Sequence, residues 1–151
     1  MLDDIDRRLL RQLQSDPTLP ITALAARARV SGQMAARRLE RMRAAGILSG
    51  SRAVIGWRAL GYEVEVSLRV TLDKTQRSAF DDFIAAAREV PEVVEIQTFL
   101  GRVDLRLSVI ARDLGHYQQI WRSRILTLPH IADIEALMRV ASVKNDPALP
   151  I

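Results

Sequence analysis

The residues best able to do chemistry in this chain are arginines. Arg27, Arg29, Arg37, Arg38, Arg41, Arg43, Arg52 and Arg58 fall within 32 residues whose only acid is Glu40. A guanidinium stays charged at neutral pH and presents a planar fork of donors that matches a phosphate or the edge of a guanine. A stripe of such groups suits a polyanion, because each phosphate it neutralises releases condensed counterions. A solvated helix face is the plainer alternative for charge alone. Catalytic and metal chemistry have less to work with. The chain has no Cys, which removes disulfides, thiolate zinc sites and thiol nucleophiles. Its two histidines, His116 and His130, stand apart in the sequence, so we expect neither a metal centre nor a cofactor.

The charge is unevenly placed. Of 151 residues, 22 are Lys or Arg against 18 acids, a formal charge of +4. Residues 1–60 hold 11 Arg against five acids, a net +6, whereas residues 61–151 hold 11 Lys and Arg against 13 acids, a net −2. The break falls at Gly56 and Gly61, so two modules are expected: residues 1–50, a connector over 51–62, and residues 63–151. No apolar run approaches the roughly 20 residues of a membrane span. Met1 leads into Leu2-Asp3-Asp4 instead of a basic, then apolar, leader, which points to the cytoplasm.

In the first module, Ile5, Leu9, Leu10 and Leu13 share one face of a helix over 3–15 that carries Asp3, Asp4 and Asp6 at its start, where carboxylates suit the helix dipole. A short helix over 21–28 follows Pro20 and buries Leu24 and Ala28. Arg29-Val30-Ser31 then leads to a third helix with Ser31 as N-cap, Ala35, Leu39 and Met42 turned inward, and Gly46 at its end. Two helices joined by three residues, the second basic, match the helix-turn-helix layout. Ser31, Gly32, Gln33 and Met34 in its first turn would lie deepest in a major groove. Gln33 has the donor and acceptor for adenine and Arg37 the fork for guanine, while Arg38 and Arg41 are expected on phosphates. Residues 47–55 read as a small strand or wing carrying Arg52.

From Glu63 the apolar period becomes two, through Val64, Val66, Leu68, Val70 and Leu72, the pattern of a half-buried strand. A helix over 74–89 with Phe80, Phe83, Ile84 and Ala87, strands over 93–100 and 103–110 joined at Gly101-Arg102, a helix over 113–126 burying Leu114, Tyr117, Trp121 and Ile125, and a strand over 131–143 complete a β-α-β-β-α-β order. That order is the ferredoxin-like α+β arrangement with helices on one sheet face. Apolar residues left on the open face would call for a homodimer.

These residues resemble the leucine-responsive regulatory protein and asparagine regulator (Lrp/AsnC) family of prokaryotic transcription regulators along nearly the whole chain. The carrying segments are Leu2-Asp3-x-x-Asp6-x-x-Leu9-Leu10-x-x-Leu13, Val30-Ser31 through Arg37-Arg38-Leu39-x-x-Met42-x-x-x-Gly46-Ile47-Leu48, Leu100-Gly101-x-x-Asp104, and Val143-Lys144. The resemblance implies a winged helix-turn-helix, a hinge, and a C-terminal domain (RAM-type) that dimerises, builds octamers or similar assemblies, and binds an amino acid between subunits. Carried over by position, the effector cleft would use Gly101, Arg102, Val103 and Asp104, with backbone amides on a carboxylate and Asp104 on an ammonium group, and Asp133, Ile134 and Ala136 of another subunit opposite. Without the resemblance, Gly101 and Asp104 read as a tight turn between strands, and both readings stand. Three departures from the family pattern matter. Arg29 occupies a place where a Gly is common; Ile134 and Ala136 replace frequent threonines, which removes a polar readout and leaves either an apolar effector or none; and Arg102 at the loop mouth would instead suit an acidic ligand, all three alternatives standing. A chain of this layout could also be an enzyme, as siroheme decarboxylases are, but no His/Arg cluster is present to hold and protonate a polycarboxylate. An assembly that no longer reads DNA is disfavoured by the basic face.

The expected function is sequence-specific DNA binding that responds to a small metabolite. Dimers then set two recognition helices about one helical turn apart, or multiples of it, on a pseudo-palindromic operator. Binding should weaken steeply as salt rises, with a log-log slope that flattens by roughly one for each phosphate no longer neutralised, as in Arg38→Ala or Arg41→Ala. A salt-insensitive complex would contradict the reading.

Overall fold

Leu9, Leu10, Leu24, Ala28, Ala35, Leu39 and Met42 recur at helical spacing. In the computed structural model, which describes residues 2–144 and 148–151, they form one buried cluster. Helix α1 (Asp4–Ser15) opens on a reciprocal cap: the Asp3 carboxylate accepts the Asp6 amide at 2.9 Å and the Asp6 carboxylate accepts the Asp3 amide at 3.2 Å. Helix α2 (Ile21–Ala28) follows Pro20, and α3 (Gly32–Ala44) starts where Ser31 Oγ accepts the Met34 amide at 3.2 Å. Gly46 follows α3 at φ +69°, the left-handed position that glycine occupies without steric cost.

Between α2 and α3, Arg29 adopts φ 57° and ψ 50°, so the left-handed turn is kept without a glycine. Its amide reaches Ala26 O at 3.1 Å and the Val30 amide reaches Ala25 O at 3.0 Å, bonds that tie off the α2 carbonyls. The expected wing strand is not formed. Residues 47–56 contain no strand, because their apolar pairs lack alternation and no neighbouring strand offers a ladder. Ile47 and Leu48 instead donate their amides to Met42 O, and Leu48 packs on the helical core. Residues 148–151 also belong to this unit. Gln14 bonds both the amide and carbonyl of Leu149, and Arg11 donates to Ile151 O. The chain divides as 2–54 with 144 and 148–151 in one unit and 55–143 in the other.

In the second unit, strands β1 (Val64–Leu72), β2 (Val93–Thr98), β3 (Leu105–Ala111) and β4 (Ile131–Met138) form an antiparallel sheet ordered β2-β3-β1-β4. Helices α4 (Ala79–Arg88) and α5 (Leu114–Ile120) bring Phe83, Ala87, Tyr117 and Ile120 into a core with Val66, Leu68, Val70, Leu105, Leu107 and Val109. Helix α4 starts at Ala79 instead of 74, since Asp73 Oδ1 accepts the Thr75 amide at 3.0 Å and bends the chain first. The β2–β3 connection runs over residues 99–104, longer than a joint at Gly101-Arg102, and closes where the Phe99 amide meets Asp104 O at 2.9 Å. After Ile120 the chain continues as a π turn, Trp121–Ile125. Its extra residue carries the buried face from Ile120 to Ile125, and Leu114, at the first residue of α5, is exposed, against expectation.

The open face also departs from the sequence reading. It carries Glu65, Ser67, Arg69, Arg106, Ser108 and Glu135, with Arg69–Glu135 at 3.5 Å, Arg106–Glu95 at 3.3 Å and Arg139–Glu65 at 2.9 Å. Leu137, opposite Ser67, and Ile110, opposite Glu65, share that face, and further exposed apolar side chains stand on the edge strands and the β2–β3 loop at Val94, Phe99, Leu100 and Met138.

Arg29→Gly should raise stability by about 1 kcal/mol, since a side chain in the left-handed region costs roughly that much. Leu68→Ala should lower it by about 2–5 kcal/mol by opening a cavity under the helices. Chemical denaturation measures both.

Candidate nucleic-acid interface and effector cleft

The inward stripe of α3 decides what the helix shows outside. With Ala35, Leu39 and Met42 buried, Gln33, Met34 and Arg37 are exposed on the opposite side and, with Ser31 and Arg38, line a shallow concavity of about 300 Å³. Gly32 is half-buried beside them, and Arg52 is exposed in the strandless segment after α3. Arg37 makes no ion pair among the described residues. Its fork is open to a ligand.

Arg38 and Arg41 are placed differently from the expectation. Asp6, with no solvent exposure, sets one oxygen 3.1 Å from Arg38 and the other 2.6 Å from Arg41, and Arg38 also pairs with Asp3. Charge counting along the sequence set these cations against Glu40 alone; folding brings the first turn of α1 under them. Only 20% of the Arg38 side chain remains exposed, while Arg41 keeps 57%. Arg38 is thus a tie between helices, and Arg41 is shared between that tie and the surface. The Asp3 carboxyl is pulled from 3.8 to about 2, chiefly by the Arg38 side chain and then by the Asp6 amide. The signal was present in the sequence as Asp6 at the first turn and two arginines three apart, but helix-dipole reasoning absorbed it.

The β2–β3 loop makes a second site. Arg69, Phe99, Leu100, Gly101, Arg102, Val103 and Arg106 line a concavity of about 390 Å³, with Gly101 at φ +152°. Arg69 and Arg106 were not among the expected residues. Asp104 was, and it faces the other way. It is 3% exposed, accepts the Leu72 amide at 2.8 Å and pairs with Lys74 Nζ at 2.7 Å. Burial alone would raise its pKa, yet the Lys74 and Leu72 bonds hold it below the usual carboxylate value. Each of its oxygens already holds a donor, and it is not among the residues lining the concavity. Within one chain, Asp133, Ile134 and Ala136 do not join this concavity. Ile134 packs on the core opposite Val70, Ala136 stands opposite Leu68, and Asp133 is exposed opposite Thr71.

The histidines serve local structure. His116 Nδ1 accepts the Arg112 amide at 3.1 Å, and His130 Nε2 lies 2.9 Å from Asp82. Among the described residues no cluster of His, Asp or Glu could hold a metal, and no helix is long and apolar enough to cross a membrane.

Removing Asp6 leaves two guanidiniums without their buried partner, so Asp6→Ala should cost about 3 kcal/mol on denaturation. Asp3 has a depressed pKa, so its contribution is complete above pH 3.8 and is lost as pH falls toward about 2. Acid melting of the wild type should show a loss in that window that Asp3→Asn lacks.

Comparison with known proteins finds two family models in order along the chain. Residues 2–43 match the AsnC-type helix-turn-helix domain and residues 65–149 the Lrp/AsnC ligand binding domain. A proline dehydrogenase transcriptional activator of Rhodobacter capsulatus is 32% identical over 99% of this chain and 98% of its own length. An AsnC family transcriptional regulator from Agrobacterium tumefaciens superposes with a TM-score of 0.87 at 27% identity, covering 99% of this chain and 97% of that one. A transcriptional regulator from Neisseria meningitidis, solved as an L-Met complex, shares the fold with a TM-score of 0.90 at 24% identity, covering 99% and 97%. With both of its units matched in order, one to a DNA-binding and one to a ligand-binding domain, the chain belongs to the Lrp/AsnC family of DNA-binding transcriptional regulators, not to a family of enzymes.

Proposed function

We propose that this regulator reads duplex DNA with the N-terminal half of α3, works as a homo-oligomer, and adjusts its binding when a small metabolite occupies the cleft beside residues 99–104. The observation that carries the reading is the exposed row Gln33, Met34 and Arg37 on the face of α3 opposite its buried stripe. A helix so presented fits the major groove, where Gln33 matches adenine and Arg37 guanine. Ser31 and Gly32 bring backbone close to the duplex, Arg41 and Arg52 supply phosphate contacts, and Arg38 holds the helix from behind.

Exposed apolar groups at Val94, Phe99, Leu100, Leu137 and Met138 support self-association through the edges and loops of the sheet. The resemblance extends that to a dimer building an octamer or similar assembly, and two-fold symmetry then favours a pseudo-palindromic operator. Regulation of amino-acid metabolism is supported by the relative named as a proline dehydrogenase activator and by the L-Met bound to the Neisseria regulator. Such a protein works in the cytoplasm on the nucleoid.

The test is a gel shift with DNA from upstream of its own gene, followed by a panel of base-substituted sites. Arg37→Ala should weaken binding and lower the log-log salt slope by about one. Gln33→Ala should lose about 1–3 kcal/mol on the native site and less on sites changed at one base pair. An equal loss on every sequence would remove Gln33 from base readout.

A further inference from the structure

Arg69 on β1 and Arg106 on β3 are direct cross-strand partners on the open face of the sheet. Like charges so placed repel and weaken the pairing. Each is held from its outer side by a carboxylate, Glu135 at 3.5 Å from Arg69 and Glu95 at 3.3 Å from Arg106. Both keep 41–50% of their side chains exposed, and both line the concavity beside the β2–β3 loop. Arg102 lines it too, exposed and without an ion pair among the described residues. Among the described residues no acid lines this cleft. Asp104, the acid of the loop, is turned away and already holds the Lys74 ammonium.

We propose that the ligand of this cleft is a small molecule with two carboxylates. The inference rests on the reading of the cleft as an effector site and specifies its chemistry. A neutral amino acid brings one carboxylate and an ammonium, and among the residues lining this concavity the ammonium would meet guanidiniums and no carboxylate. A diacid places one carboxylate between Arg69 and Arg106, where it relieves their repulsion, and the other on Arg102. Charge-assisted, forked bonds of this kind are the strong ones. Phe99, Leu100 and Val103 cover a short carbon chain between the two charged ends, and a volume of about 390 Å³ accommodates a diacid of a few carbons. Acidic amino acids and dicarboxylic acids without an amine share this chemistry.

Thermal shift and calorimetric titration of the full chain test it, with aspartate, glutamate, succinate and 2-oxoglutarate against leucine and methionine, all at matched ionic strength with sulfate as the anion control. The expected result is stabilisation by one or more diacids, at least tenfold weaker binding in Arg102→Gln and in Arg69→Gln, and no shift with sulfate. Preference for glutamate over 2-oxoglutarate, or the reverse, identifies the source. Stabilisation by leucine or methionine alone would overturn the diacid and keep an effector. An equal shift with sulfate would reduce the cleft to a general anion site and overturn the diacid. No shift with any compound, in protein that still binds DNA, would overturn the effector reading as well.

Discussion

Asp6 lies fully buried at the first turn of α1 and takes a guanidinium on each carboxylate oxygen, Arg38 at 3.1 Å and Arg41 at 2.6 Å. Taking a carboxylate out of water costs several kcal/mol, and that cost is offset only when its lone pairs are all engaged. Here the Asp3 amide and the two arginines place donors on both oxygens. The consequence is geometric. Helix α3 has little freedom to roll on α1 without stranding a buried charge, so the direction in which Gln33, Met34 and Arg37 point is fixed by an ion pair behind them as well as by the apolar stripe. The same ion pair redistributes the field, because part of the N-terminal surplus of +6 is consumed inside the unit while arginines such as Arg27, Arg29, Arg37 and Arg52 stay exposed.

The second unit solves a different problem with the same residue type. Its core face is filled by β-branched and leucine side chains under α4 and α5, but its open face is built from paired charges. Charges on an open face leave the protein without a large sticky surface there and leave the apolar contacts to the edges. They also create one place, Arg69 opposite Arg106, where the sheet carries repulsion that its own carboxylates only partly offset. Sites that bind ligands are common where a fold accepts such a local cost.

Periodicity made most of the architecture legible. The 3.6 spacing of Leu9, Ala35, Leu39 and Met42 and the alternation from Val64 to Leu72 each follow from one local pattern, and the β-α-β-β-α-β order then leaves few ways to arrange a sheet. What the pattern missed shares one cause. The Asp6 tie, the Arg69–Arg106 pairing and the inward turn of Asp104 join residues at least 32 positions apart, and a charge read along the chain carries no information about which distant charge will face it. The wing failed for the opposite reason: residues 47–55 have strand-like apolar pairs but nothing beside them to complete a ladder. Leu114 has the apolar character of the buried face but stands at the first residue of α5, where it is exposed.

The central claim is that α3 enters the major groove with the face bearing Gln33 and Arg37. Site-specific photo-cross-linking reads this directly, with a photoreactive residue placed singly at positions 33, 37 and 122 of the full chain bound to an operator duplex. The expected outcome is cross-links to bases from positions 33 and 37 and none from position 122. A protein that binds the duplex yet cross-links from position 122 and from neither position on α3 would contradict it.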